Sequence, residues 1–154
     1  MEKFKTKSEK ETENLGKKIG RKILKEKPGK IAKVIALEGD LGGGKTTFLK
    51  GFARGLGIKE KILSPTFILF RKFNIKHRTS NFKHFYHIDC YRIEKAKEIL
   101  NLGFREIIKD PKNIVAIEWA DKIKKILPIK VIKIKFKILG KKEREILIKW
   151  QRDC

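Results

Sequence analysis

Gly39-Asp40-Leu41-Gly42-Gly43-Gly44-Lys45-Thr46 is the stretch that decides the fold. It satisfies G-x-x-x-x-G-K-[ST] at every position. Glycines 42 to 44 carry no Cβ, so the chain can close tightly there and turn its N–H groups inward onto phosphate oxygens. The preceding residues, Lys33 to Glu38 (KVIALE), read as a short buried strand. The following ones, 46–56, put Leu49, Phe52, Ala53 and Leu56 on one helical face, and Gly57 suits the helix C-terminus. A loop that opens onto a helix N-terminus meets partial positive charge, which favours an anion. Lys45 can reach β- and γ-phosphates, and the Thr46 hydroxyl is a hard oxygen suited to Mg²⁺. The candidate nucleotide-binding residues are therefore Asp40, Leu41, Gly42, Gly43, Gly44, Lys45, Thr46 and Thr47, with ATP or ADP and Mg²⁺ as the expected ligands. A purely structural glycine turn has no use for three glycines followed by a strand-adjacent lysine.

Outward from this loop, strand and helix patterns alternate. Residues 8–25 predict a helix, with Leu15, Ile19, Ile23 and Leu24 as its apolar stripe. KPGK at 27–30 is turn chemistry. Pro65 to Phe73 and FKHFYHIDCYR (82–92) predict two strands joined by the basic loop NIKHRTSN. Residues 94–109 predict one or two short helices broken near Gly103. NIVAIEW (113–119) predicts a buried strand, and Ala120 to Leu127 a short helix stopped by Pro128. Ile132, Ile134, Phe136 and Ile138 alternate with lysines, GKKE turns, and EREILIKW returns as a hairpin. The fold expected is α/β: a single-domain P-loop NTPase over residues 1–154, its mixed β-sheet flanked by helices and closed by a C-terminal antiparallel hairpin.

Composition bounds the rest. With 154 residues and 40% hydrophobic content the chain can bury a real core. No apolar run approaches the roughly 18 residues of a membrane span. The N-terminal stretch lacks an apolar leader core, so a cytoplasmic location without membrane contact is expected. Cys90 and Cys154 form neither a disulfide framework nor a zinc spacing. Forty basic residues against 18 acidic ones give a formal charge of +22, which invites an RNA or acidic partner. Lysines scattered along the whole chain, with few arginines, fit a composition bias as well.

A phosphate loop needs an acid for Mg²⁺ or the attacking water, commonly at the end of a neighbouring apolar strand. NIVAIE supplies Glu118 and HIDCYR supplies Asp89 as candidate catalytic residues, with Thr46 and Glu118 as candidate metal ligands. Each acid also reads as a strand-end ion pair, for Asp89 with Arg92. Alternation puts His87, Asp89 and Tyr91 on one strand face and Tyr86, Ile88 and Cys90 on the other. His87-x-Asp89 as a transition-metal pair lacks an evident third ligand. Cys90 reads as a small core residue. Trp119 can pack near the nucleotide or simply in the core. SPTF at 64–67 is an ordinary turn or a switch in which Thr66 senses the γ-phosphate.

GDLGGGKTTF, LG, SPTF, HIDCYR, LGF-x-E, IEWAD and LP occur in that order. Together they resemble the TsaE (YjeE-type) family, small P-loop ATPases of bacterial tRNA threonylcarbamoyladenosine biosynthesis. The resemblance runs from about residue 8 to the C-terminal hairpin. It implies ATP and ADP binding with Mg²⁺ and slow hydrolysis. It also implies work with the TsaD–TsaB pair, which places threonylcarbamoyl on the adenosine beside the anticodon. By motif, Lys45 and Thr46 match the phosphate-loop pair, Thr66 the switch threonine, Asp89 the H-x-D-x-YR acid, and Glu118 the Walker B acid, with Trp119 beside it. Gly43 stands where alanine is common. The basic 74–84 loop and the +22 charge leave tRNA contact, indirect or weakly direct, open. A P-loop small-molecule kinase and a noncatalytic RNA-binding module are the rival readings.

Overall fold

The structure is a computed structural model that describes residues 1–62 and 70–150. Its elements in chain order are β1 (Glu2–Thr6), α1 (Glu9–Leu24), β2 (Lys33–Gly39), α2 (Lys45–Gly55), β3 (Phe70–Asn74), β4 (His84–Asp89), α3 (Ala96–Leu100), α4 (Phe104–Lys109), β5 (Asn113–Glu118), a 3₁₀ segment (Ala120–Ile126), β6 (Ile132–Ile138) and β7 (Arg144–Lys149). One seven-stranded sheet has the order β1-β7-β6-β2-β5-β4-β3. β6, β2, β5 and β4 run parallel in the centre, and antiparallel partners close both edges. The mixed α/β architecture and the terminal hairpin match the pattern read from the sequence.

Local chemistry explains most element ends. Ser8 caps α1 by accepting the Glu11 N–H at 3.1 Å, and the Glu11 carboxylate reaches back to the Lys7 N–H at 2.8 Å. After α2, Gly57 donates to Arg54 O and Ile58 to Ala53 O, the paired bonds that terminate a helix through a left-handed residue. Gly103, at φ +87, separates α3 from α4. Asn113 to Glu118 are all buried, because β5 is covered on both faces. On one face Ile35, Leu37, Phe48, Phe52 and Phe85 pack under α1 and α2. On the other, Val34, Ala36, Val115 and Ile117 of the sheet pack with Ile99 of α3 and Phe104 and Ile108 of α4.

Two features depart from the sequence expectation. Glu2–Thr6 form an edge strand paired antiparallel with β7, although only Phe4 and Thr6 turn inward. That alternation is too sparse to stand out in a polar stretch. Ala120–Ile126 is 3₁₀, with Ile123 off helical geometry at φ −120 and ψ 26. The expected strand over Pro65 to Phe73 is described only in its last part, within β3. SPTF and Thr66 lie outside the described residues.

α1 and α2 touch backbone to backbone. Gly16 and Gly20 on α1 face Gly51 and Gly55 on α2, three residues between the members of each pair. A Cβ on Gly16 would stand 2.0 Å from Phe48 O, and one on Gly51 1.8 Å from Glu13 O. Gly16, Gly20 and Gly51, in helix interiors, cost helix propensity, and Gly55 ends α2. They allow an approach no side chain permits, and so seat α2 and its N-terminal loop against α1.

Candidate nucleotide site

β2 delivers the chain into the glycine loop, and α2 starts at Lys45. The turn requires glycine at two positions above all: Gly42 at φ +78 and Gly44, the residue capping α2, at φ +101. Gly43 N–H closes the loop onto Asp40 O at 3.0 Å. Lys45 is buried, and its Nζ donates to Gly39 O at 2.5 Å and Asp40 O at 3.0 Å. The same Nζ lies 4.2 Å from the centre of the Trp119 ring. Burial lowers the Lys45 pKa from its ordinary value, against the opposing pull of Glu118, Asp89, Asp40 and Asp121.

β4 and β5 are parallel neighbours with Asp89 opposite Glu118, so both acids emerge at the same end of the sheet. Glu118 is 2% exposed. Its Oε1 accepts the Thr46 hydroxyl at 3.0 Å, and its Oε2 accepts His87 Nε2 at 2.6 Å. His87 is fully buried; facing a carboxylate, its Nε2 is the donor, and its Nδ1 has no partner among the described residues. Asp89 Oδ1 accepts the Tyr91 N–H at 2.9 Å, which leaves Oδ2 uncommitted to that turn. Burial raises the Asp89 pKa above the usual aspartate value, and the Glu118 charge adds to the rise. The Tyr91 N–H, His87 and Lys45 work the other way.

The cleft these residues line has a volume of about 640 Å³, the scale of a small-molecule site. It brings together Leu41 through Thr47, Asp89, Glu118 and Trp119. Asp40 is exposed outside the lining and contributes its carbonyl to Lys45. Trp119 has φ +57, the left-handed region, alone among the described non-glycine residues. Its ring packs on Tyr91 at 5.1 Å, so the residue belongs to the cleft wall as well as to the packing beneath it. Cys90 points to the opposite core, and burial pushes its thiol up to about 12.

Sequence reasoning missed Arg144, Lys141, Lys142, Ser8 and Thr12 at the cleft and gave His87 another role. His87 appeared as half of a metal pair, yet it holds Glu118. Among the described residues no trio of His, Cys, Asp or Glu is placed to bind a metal. Arg144 on β7 donates to Gly42 O at 3.0 Å from 102 residues away, and Lys141 and Lys142 line the same rim. Ser8 and Thr12, at the start of α1, line the other side. Only the strand-face alternation at His87 carried a local signal. The donor set suits a hard divalent cation: Thr46 Oγ and a Glu118 oxygen are already adjacent, and Asp89 stands on the neighbouring strand.

A parallel-centred sheet, a glycine loop between β2 and α2, and an acid at the end of β5 define a P-loop NTPase. A family model described as "Threonylcarbamoyl adenosine biosynthesis protein TsaE" matches residues 6–146. The chain belongs to the TsaE family. The tRNA threonylcarbamoyladenosine biosynthesis protein TsaE of Bacillus subtilis (strain 168) is 42% identical over 120 residues, 78% of this chain and 69% of the relative. That of Rickettsia typhi is 38% identical over 143 residues, 92% of this chain and 90% of the relative. A crystal structure of Bacillus subtilis YdiB superimposes with a TM-score of 0.73 at 33% identity, over 96% of this chain and 83% of that one. Among the described residues no helix is long and apolar enough to cross a membrane.

Proposed function

We propose that this chain binds ATP with Mg²⁺ and hydrolyses it slowly as a cytoplasmic component of the machinery that forms N6-threonylcarbamoyladenosine in tRNA. In that machinery it acts with TsaD and TsaB. One observation carries the reading: Lys45, Thr46, Asp89 and Glu118 converge on the glycine loop of a TsaE-family chain.

The roles follow from chemistry. N–H groups of the glycine loop, that of Gly43 aside, cradle the phosphates, and the α2 N-terminus adds positive potential. Lys45 exchanges two carbonyl partners for phosphate oxygens, a stronger charge-assisted bond for a buried ammonium. Thr46 and Glu118 would hold Mg²⁺, which neutralises phosphate charge when bound. His87 holds the far oxygen of Glu118, so the near one stays turned to Thr46. Asp89, made more basic by burial, orients a water through Oδ2 and accepts its proton. Thr66 is assigned the switch that reports the γ-phosphate. Slow turnover alone and stimulation by TsaD–TsaB are part of the same reading.

The test is ATP hydrolysis by the purified chain with and without TsaD and TsaB. Stimulation supports the reading. Absence of any binding among the components in every nucleotide state refutes the partnership, and transfer of the γ-phosphate to anything but water refutes the ATPase assignment.

A further inference from the structure

We infer that the outer face of α1 is a docking surface for the phosphate backbone of RNA, separate from the nucleotide cleft. The inner face of this helix is spent on the core through Leu15, Ile19 and Ile23. Its outer face forms a shallow groove of about 650 Å³ lined, among the described residues, by Asn14, Lys17, Lys18, Arg21, Lys22 and Lys25: five cations and no acid. Among the described residues Lys17, Lys18, Arg21 and Lys25 make no ion pair, while Lys22 reaches Glu2 at 4.0 Å and lies 4.2 Å from the centre of the Trp150 ring. The groove continues into a second, of about 770 Å³, that shares Arg21 and Lys25 and adds Lys27, His77 and Arg54, the last already paired with Glu13 of α1. The acid there, Glu26, is held by Lys33 at 2.7 Å.

The arrangement works against the helix itself. Lys17–Arg21, Arg21–Lys25 and Lys18–Lys22 are like-charge pairs one turn apart, which repel. The helix dipole rewards cations only in the last turn, where Arg21 and Lys22 sit, and gives nothing to Lys17 or Lys18. The glutamates of α1 are confined to Glu9, Glu11 and Glu13 at its start. A lysine-rich composition scatters charge; it does not clear acids from one groove.

The chemistry of the groove selects its occupant. Among the described residues no apolar side chain lines the first groove, so nothing there inserts into a lipid surface. From Lys17 to Lys25 the helix rises about 12 Å, the axial length of about three to four phosphates along one strand. Lysine point charges suit backbone phosphates better than base edges, so the contact is independent of sequence. The choice of RNA rests on the proposed function, in which tRNA is the substrate of the assembly.

Fluorescence anisotropy of the full chain with an unmodified tRNA transcript, across a salt series, tests this. One variant carries Lys17→Gln, Arg21→Gln and Lys25→Gln. A second carries Lys109→Gln, Lys124→Gln and Lys125→Gln on the opposite side of the sheet, for the same loss of charge. The α1 variant should bind tRNA at least about tenfold more weakly, and the slope of log affinity against log salt should fall by about two to three. The second variant should stay within about twofold of the parent. ADP affinity, measured on the same samples, should not move in either; its loss in the parent would indict the nucleotide reading and leave the RNA result standing. No tRNA binding by the parent at low salt, equal losses in both variants, or no loss in the α1 variant overturns the inference. Polyglutamate that competes as well as RNA at equal charge overturns it too, in favour of an acidic protein surface.

Discussion

Gly51→Ala should destabilise the protein, although alanine is the better helix former. In an open helix the change would stabilise by about 1 kcal/mol. Here the new Cβ would stand 1.8 Å from Glu13 O and 2.7 Å from Glu13 C, both backbone atoms of α1. Real Cβ atoms essentially never approach below 3.0 Å. The helices must therefore part by at least about 1.2 Å, and no rotamer relieves the clash. A gap of 0.5–1 Å already forfeits about a quarter to a half of each contact's dispersion energy. The interface that opens carries Leu15 and Ile19 against Phe48 and Phe52. Overpacking costs about 1–3 kcal/mol and occasionally more; with backbone on both sides of the clash the cost is about 3 kcal/mol or above, and less the propensity gain it leaves at least about 2 kcal/mol of destabilisation.

For a chain of this size that is a fall in Tm of at least about 5 °C. Thermal unfolding followed by circular dichroism measures it, with the urea midpoint as a second reading. Gly16→Ala, 2.0 Å from Phe48 O, should behave alike, whereas Gly29→Ala, with nothing within 4 Å, should not lower Tm. Nucleotide affinity should fall as well in the helix variants, since Thr12 of α1 packs beside Gly44 of the loop. A Tm for Gly51→Ala equal to or above the parent's would refute the account of helix contact.

Lys45→Ala should weaken ATP binding by at least about a hundredfold, about 2.7 kcal/mol, because it removes a buried cation from the phosphates; calorimetry that returns unchanged affinity contradicts the site. Asp89→Asn should hold ADP within about tenfold, lose most hydrolysis, and raise Tm at pH 7. The Asp89 pKa is raised in the folded state, so its contribution to stability is present below the unfolded value and lost as pH rises through the folded one. The Tm gap between Asp89→Asn and parent should therefore close as pH falls below 3.8, and a gap independent of pH would show that the raised pKa is not the cause. His87→Phe leaves Glu118 Oε2 buried without its donor, at a cost of about 1–3 kcal/mol. It should also raise the Mg²⁺ concentration needed for ATPase activity; unchanged Mg²⁺ dependence in a folded variant would mean that His87 does not orient Glu118. Glu118→Ala should spare ADP binding within about tenfold and abolish hydrolysis, and normal turnover per folded molecule would remove Glu118 from the site.

What the sequence disclosed and what it hid divide along sequence separation. The glycine loop, α2 and the all-apolar β5 ending in Glu118 are written in contiguous residues, because dihedral permissiveness and periodicity are local properties. The hairpin of β6 and β7 was legible for the same reason. β1 was not: among the described residues it pairs with β7 alone, and its strand character comes from that pairing more than from its own residues. Arg144 reaches Gly42 across a sheet edge that the chain closes only when β7 has folded.

Gly16, Gly20, Gly51 and Gly55 show the limit most sharply. Read one at a time they are defects in helices that otherwise look sound. Their sense lies in the pairing of two spacings, one on each helix, and nothing local says that the two faces meet. The same holds for His87. Its strand alternation was visible, but the acid it serves belongs to β5, 31 residues on, and the parallel pairing that aligns them is a property of the sheet. A site built at the ends of adjacent parallel strands is assembled by crossover connections. Its candidate acids can therefore be nominated from strand ends, while the hydrogen bonds that orient them become readable only once the strand order is known.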